Sequence, residues 1–555
     1  MAAKPWLAHY DPGVPATLQP YPAITVLDYV RETTEKRPDH TALMFKGERI
    51  SFGELMWRSD ALAHALIANG VKKGDRVAII MPNTPQFVIA EFAIWKAGGI
   101  VAAINPLYTG PELQHALKEC GAETAIVMTL FYEKVKAIQH HTDLKRIIAT
   151  NIREYLPKAL MVAFMLLKEK KEGHRATLRD GDLWFGELIQ AHAGKKTPPV
   201  QVLPEDDALI LFTGGTTGVS KAALATHQAL IQAGMQIRAW FASSLVEWED
   251  RFMTNLPLFH VFAAVGVQMI AIMNRSAMIL VPNPRDLDDV VATIQKTKPT
   301  FLPGVPTLFN ALMNHPKVKS KQVDMTSIKL CISGAAPLML DTKQRFEALT
   351  GGRIVEGYAL TETVMAAVIS PIAGEYKPGF VGMPVTDVEV RIVDGDTGER
   401  ELPQGEIGEI AVRAPQLMKA YWQRPADTAE MIRAGWLYTG DLGYLDEDGY
   451  LTIVDRKKDV IKPSGFQVWP REVEETIATH PAVQEVGVAG VPDAVAGEAV
   501  KAYVVLREGM VATEAEIREH CRTCLTGYKV PKYVEFRTAL PKSAIGKMLR
   551  RDLAN

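Results

Sequence analysis

An apolar run, Ala208-Leu-Ile-Leu-Phe212, empties directly into Thr213-Gly-Gly-Thr-Thr-Gly-Val-Ser-Lys221, a loop of glycines and hydroxyls closed by a lysine. The run reads as a buried strand and the loop at its carboxyl end as a phosphate cradle. Gly214, Gly215 and Gly218 let backbone N–H groups approach an anion closely. Thr213, Thr216 and Thr217 add hydroxyl donors, and Lys221 adds a mobile charge. The Walker pattern ends in Gly-Lys-Ser/Thr, whereas here Ser220 precedes the lysine and no hydroxyl follows it. A polyphosphate is the natural guest of such a loop; the competing reading is a surface loop that simply uses small polar residues.

The surrounding pattern is α/β. Ser51-Phe-Gly-Glu54 has capping-box spacing and predicts a helix that stops at Gly70. Residues 76–81 read as a buried strand, Thr84-Pro85 opens a helix through Lys96, and residues 98–104 form another strand, the rhythm of a parallel layer. Short strands run into loops again at Leu330-Cys-Ile-Ser-Gly-Ala-Ala-Pro337 and at Arg353-Ile-Val-Glu-Gly-Tyr-Ala-Leu-Thr-Glu362. Ligands of open parallel sheets sit at the carboxyl ends of strands, so three such loops converge on one site. From about residue 379 to 449 the pieces become short, β-rich and turn-bounded, and a compact helix-and-strand unit follows a charged break near residue 456.

Composition removes several classes. With 47% hydrophobic and 23% charged residues over 555 positions, the chain suits a multidomain globular protein, and its net charge of −2 argues against a nucleic-acid partner. Four cysteines are too few for a disulfide framework, and the opening Met-Ala-Ala-Lys-Pro-Trp lacks the apolar core of a signal peptide, so a cytoplasmic setting is expected. Cys521 and Cys524 form C-x-x-C on an amphipathic helical pattern without a second pair, which argues against redox or metal chemistry. Residues 159–167 are apolar throughout, flanked by Lys158, Lys168, Lys170 and Lys171. That run is too short to span a bilayer, which takes about 20 residues, and reads either as a core helix or as an interfacial helix whose lysines meet anionic lipid.

The 213–221 loop resembles the signature of the adenylate-forming enzymes, the superfamily of acyl-CoA synthetases, peptide-synthetase adenylation domains and firefly-type luciferases, although Ala222 stands where relatives usually carry glycine. The family's other motifs follow in order: Asn255-Leu-Pro-Leu-Phe-His-Val-Phe262, the two strand-loop segments above, Tyr438-Thr-Gly-Asp441, residues 450–465 and Leu540-Pro-Lys-Ser-Ala-Ile-Gly-Lys-Met-Leu-Arg550. Residues 6–22 and Asn105-Pro-Leu-Tyr-Thr109 look like those of bacterial long-chain fatty-acid–CoA ligases in particular.

The resemblance implies an α/β fold: a large N-terminal domain (1–455) of α/β subdomains with a small β-barrel-like subdomain, a hinge at 456–458, and a small, mobile α+β C-terminal domain (459–555). It implies ATP and CoA as substrates, Mg²⁺ as cofactor, and a fatty acid converted through an acyl-adenylate to acyl-CoA, AMP and pyrophosphate. Nucleotide contacts fall to the 213–221 loop, Gly334, Ala335, Ala336, Glu356, Gly357, Tyr358, Ala359, Thr361, Asp441, Arg456 and Lys547. Glu362 and Thr213 serve the metal, Lys547, Glu362 and Lys462 the chemistry, His260 the acyl pocket, Lys458 the hinge, and Gly465 and Phe466 the CoA path. Plainer readings stand beside these: His260 as a core histidine, Asp441 as a turn residue, Lys457 as solvated charge. A homodimer is compatible with the resemblance, as is peripheral membrane contact through residues 156–171 on the inner face. The alternatives are a medium-chain or aromatic acid–CoA ligase, an acyl-adenylate donor to a carrier protein, and a non-catalytic lipid-binding protein.

Overall fold

The computed structural model describes residues 4–213, 220–336, 338–395, 397–493, 496–543 and 548–553. The strand Asp207–Phe212 lies inside an eight-stranded sheet ordered Ala420–Tyr421, Ala222–Thr226, Asp207–Phe212, Ile100–Ala103, Arg76–Ile80, Thr124–Met128, Arg146–Thr150 and Leu183–Trp184. Pairing is parallel from Asp207–Phe212 to Leu183–Trp184, and antiparallel where the chain returns through Ala222–Thr226 and where Ala420–Tyr421 closes that edge. Parallel strands covered on both faces need unbroken apolar runs, and Val77, Ala78, Ile79 and Ile80 are all fully buried.

A second sheet has nine strands, ordered Met383–Pro384, Met365–Ile369, Arg353–Leu360, Leu330–Ser333, Phe301–Gly304, Arg251–Thr254, Ala277–Leu280, Thr41–Phe45 and Glu48–Ser51. Helix Pro85–Lys96 is buried at every position. Its one cation, Lys96, is tolerated there because Asp60, Ser59 and the Met56 carbonyl receive its protons at 2.7–2.9 Å. The helix Phe52–Ala68 starts as its spacing predicts, with Ser51 accepting from the Glu54 N–H at 3.1 Å.

A five-stranded antiparallel sheet combines Glu389–Val393, Gly408–Arg413, Trp436–Leu445, Ile432–Arg433 and, on the other side of Trp436–Leu445, Leu451–Arg456. Beyond it, Val483–Asp493, Gly497–Leu506 and Tyr533–Phe536 form a three-stranded sheet against helices Pro470–Ala478 and Glu514–Cys524. This last unit has its own core around Val473, Ile477, Val488, Val500, Val504 and Ile517. The architecture is therefore mixed α/β, with a large N-terminal and a small C-terminal domain.

Near the N-terminus the buried Asp11 accepts backbone protons from Ile372, Ala373 and Gly374 at 2.6–3.2 Å. This carboxylate straps the first residues to a loop more than three hundred positions away.

One expectation is overturned. The helix Lys158–Leu167 is not a core helix: no residue in it is buried, and Leu166 and Leu167 are 78% and 72% exposed. Apolar residues on every side leave no polar face to mark its surface, so periodicity could not show which side, if any, was covered.

Candidate active site

The cradle's neck is tied shut by backbone and hydroxyl bonds. Thr213 N–H donates to the Lys221 carbonyl at 2.9 Å, Lys221 N–H to Thr213 Oγ1 at 3.1 Å, and Ser220 Oγ to the Thr213 carbonyl at 2.6 Å. Gly214, Gly215, Thr216, Thr217 and Gly218 lie outside the described residues, and so does Lys547.

The neck opens onto a cavity of about 720 Å³. Its walls include Thr213, Lys221, His260, Gly334, Ala335, Gly357, Ala359, Thr361, Glu362, Asp441, Arg456 and Lys458, so residues spread over more than two hundred positions meet as the motifs predict. Ala336, Glu356 and Tyr358 line an adjoining pocket of about 460 Å³, which shares Asp441, Arg456 and Lys458. Ala335 holds a left-handed backbone at φ +67°, a strained conformation for a residue with a Cβ, at the point where the two pockets join.

Asp441 is organised rather than loose. Tyr358 donates its hydroxyl to Oδ2 at 2.7 Å and Arg456 Nε stands 3.3 Å from Oδ1. Burial, reinforced by that carboxylate, raises the Tyr358 phenol well above its ordinary range. Glu356 turns its carboxylate to the Tyr376 hydroxyl and the Leu338 N–H, and burial raises its pKa. Lys457 is not simply solvated charge: its ammonium pairs with the buried Glu409, which also accepts from Gly440 N–H. Burial, with Arg456 adding to it, lowers the pKa of Lys458.

The apolar end carries His260, Val261, Phe262, Ile332 and Met365. Desolvation pushes the His260 imidazole down to about 4, so it is neutral at pH 7. Met365 packs directly on Gly266, where a Cβ would sit 2.3 Å from its methyl.

Lys462 and Phe466 line neither cavity. Lys462 gives its N–H to Glu498, and Phe466 is exposed and stacked on Tyr528 with ring centroids 4.8 Å apart. Gly465 lies in the same short turn, Pro463–Gly465. Ser543 and Leu549, on either side of the undescribed stretch that holds Lys547, do line the cavity.

Sequence reasoning missed Tyr421, Asp427, Glu409, Arg433 and Met365, all of which reach the cavity. Tyr421 donates to Glu362 Oε1 at 2.6 Å, and Asp427 pairs with Lys221 at 2.5 Å. Neither belongs to a glycine-rich or charged motif that would have singled it out.

The profile described as AMP-binding enzyme matches residues 30–422, and that described as AMP-binding enzyme C-terminal domain matches residues 472–547. The chain is 39% identical over 551 residues to a long-chain-fatty-acid–CoA ligase of Bacillus subtilis (strain 168), covering 99% of this chain and 97% of that protein. Among solved structures, ATP-bound MatB from Rhodopseudomonas palustris superposes with a TM-score of 0.82 at 28% identity, over 96% of this chain and 98% of that one. An anthranilate CoA ligase, AuaEII, in complex with anthranoyl-AMP gives 0.83 at 27% identity, over 96% and 97%.

Proposed function

The chain belongs to the AMP-binding enzymes, and from that membership we propose that it activates a long-chain fatty acid with ATP and transfers the acyl group to CoA. The observation that carries this reading is a single cavity whose wall joins the phosphate-loop Lys221, the buried carboxylates Glu362 and Asp441, and the apolar residues Val261, Phe262, Ile332 and Met365 next to His260.

A carboxylate is a poor acyl donor because oxide is a poor leaving group. Attack of the fatty carboxylate oxygen on the α-phosphorus of ATP forms the acyl–O–P bond and breaks the bond to pyrophosphate, which leaves toward the 213–221 loop. Lys221 stabilises charge on that side, and Lys547 stabilises it at the α-phosphate. Loss of such a stabiliser costs about 3–4 kcal/mol, roughly two to three decades in rate. Asp441 holds the ribose hydroxyls, with Tyr358 and Arg456 fixing its orientation; Thr361, Gly357 and the 334–336 wall hold phosphate and base. His260, neutral at pH 7, adds no competing charge where the carboxylate enters.

Among the described residues no group of three or more His, Cys, Asp or Glu gathers as a metal cage. Glu362, a buried carboxylate on the cavity wall that also carries Thr213, fits Mg²⁺, which prefers one or two carboxylates completed by substrate phosphates and water. Glu362 and Thr213 would hold it, and it would supply neutralisation of polyphosphate charge.

In the second half-reaction the CoA thiolate attacks the acyl carbonyl and AMP leaves. Lys462, Gly465 and Phe466 are assigned to that step, reached by rotation of residues 459–555 about Lys458. The exposed helix Lys158–Leu167, framed by lysines, supports peripheral docking on an anionic bilayer, where a long-chain acid partitions. No helix among the described residues is long and apolar enough to cross one.

The test is incubation with Mg·ATP and acids from acetate to oleate plus benzoate, with and without CoA, following AMP, pyrophosphate, acyl-CoA and hydroxamate-trapped adenylate. Long chains are expected to give acyl-CoA fastest, and Lys547→Ala to abolish adenylate. Best turnover with benzoate or short acids would overturn the chain-length reading, and adenylate that never passes to CoA would overturn the CoA-ligase reading.

A further inference from the structure

Tyr421 touches the site's two opposite charges at once. Its backbone is fixed: Ala420 and Tyr421 pair with Leu224 and Ala223, on the strand that leaves the loop neck, and the Tyr421 N–H donates to Thr428 Oγ1 at 3.0 Å. Its side chain is buried, so a hydroxyl there requires a partner, and it finds Glu362 Oε1 at 2.6 Å. The same segment holds Glu362 by its backbone, through Met418 N–H to the Glu362 carbonyl at 2.9 Å. The face of the Tyr421 ring lies 5.0 Å from the Lys221 ammonium, a cation–π distance. That ammonium pairs with Asp427, which Arg424 reaches at 3.5 Å while gripping Glu119 with both ends of its guanidinium.

A carboxylate and an ammonium on one cavity wall would quench each other if they met. Here the phenol occupies one oxygen of the carboxylate, the aromatic face takes the ammonium, and the lysine's ion pair goes to Asp427 instead. We propose that Tyr421 is a positioning residue that keeps Glu362 and Lys221 apart and aimed at the cavity, so that a divalent cation and the phosphates it neutralises meet both. The inference rests on the reading of Glu362 as a cation ligand, and it adds a role for a residue outside every motif quoted above. Outer partners that orient a ligating group typically change metal affinity by about 10–100-fold when lost.

The experiment measures free Mn²⁺ by electron paramagnetic resonance during titration of the full-length protein in saturating ATP, beside calorimetric binding of ATP without metal. Tyr421→Phe keeps the ring under Lys221 and removes only the hydroxyl. It is expected to weaken Mn²⁺ binding about 10-fold or more while metal-free ATP binds as in wild type. Tyr421→Leu removes the ring as well and is expected to weaken both. If Tyr421→Phe binds Mn²⁺ like wild type while Glu362→Gln does not, the positioning role is refuted and the metal site stands. If Glu362→Gln also binds like wild type, the cation reading of the site fails first. Equal losses of Mn²⁺ and metal-free ATP affinity in Tyr421→Phe, with a lowered melting temperature, would show a merely structural tyrosine and overturn the proposal.

Discussion

Replacing Asp441 by asparagine tests the nucleotide corner with almost no change of shape. An ionised carboxylate offers about four lone-pair sites. The Tyr358 hydroxyl at 2.7 Å and Arg456 at 3.3 Å take two, which leaves two for a pair of ribose hydroxyls. Hydrogen bonds to a charged acceptor contribute about 1.5–3 kcal/mol and neutral ones about 0.5–1.5, so each hydroxyl loses about 1–1.5 kcal/mol in the variant. For two hydroxyls the loss is about 2–3 kcal/mol, or roughly a 30- to 160-fold weaker ATP dissociation constant. The assay is calorimetric titration with ATP and with 2′,3′-dideoxy-ATP, in the absence of acid and CoA. Wild type should discriminate between the two nucleotides by about 2–3 kcal/mol more than Asp441→Asn does, and that difference is the coupling in the resulting cycle. A coupling below about 0.5 kcal/mol, within the usual additivity error, would mean that Asp441 does not bind the ribose.

Glu91 is buried with Gln268 as its partner, and burial raises its pKa to about 8 from 4.5. The folded chain then holds a proton that the unfolded chain releases between those values, so stability falls as pH rises through that window. Glu91→Gln should flatten a melting-temperature profile across it, and an unchanged slope would refute the assignment. Asp11→Ala strips the acceptor from three backbone N–H groups, and urea unfolding should show a loss of about 3–5 kcal/mol that Asp11→Asn only partly restores. A loss under about 1 kcal/mol would mean that solvent satisfies those groups. Leu166→Glu with Leu167→Glu removes two side chains that are 78% and 72% exposed. Co-sedimentation with anionic vesicles should drop by roughly 100-fold in partition coefficient, and equal sedimentation of both proteins would rule this helix out as the docking element.

What was legible in the chain was local. The loops after Ser333 and Leu360 and the cap at Ser51 each depend on neighbours a few residues away, and they stand where the pattern puts them. What was not legible depends on partners distant in sequence. The Tyr358–Asp441 and Tyr421–Glu362 bonds join residues 83 and 59 positions apart, and nothing near Tyr421 announces such a partner. The apolar 159–167 segment hid its exposure for a different reason: hydrophobicity says that a surface seeks cover, but not whether the cover is protein or something outside it.

The strand order of the nine-stranded sheet bears on how the chain is made. Thr41–Phe45 finds its parallel partner only in Ala277–Leu280, more than two hundred residues later. At about 5–20 residues per second on a ribosome, the first hairpin therefore waits roughly 10–50 s for the strand that covers its edge. During that interval the nascent chain exposes Leu43, Phe45 and Ile50, which end fully enclosed, and their safe passage falls to whatever shields them as they leave the exit tunnel.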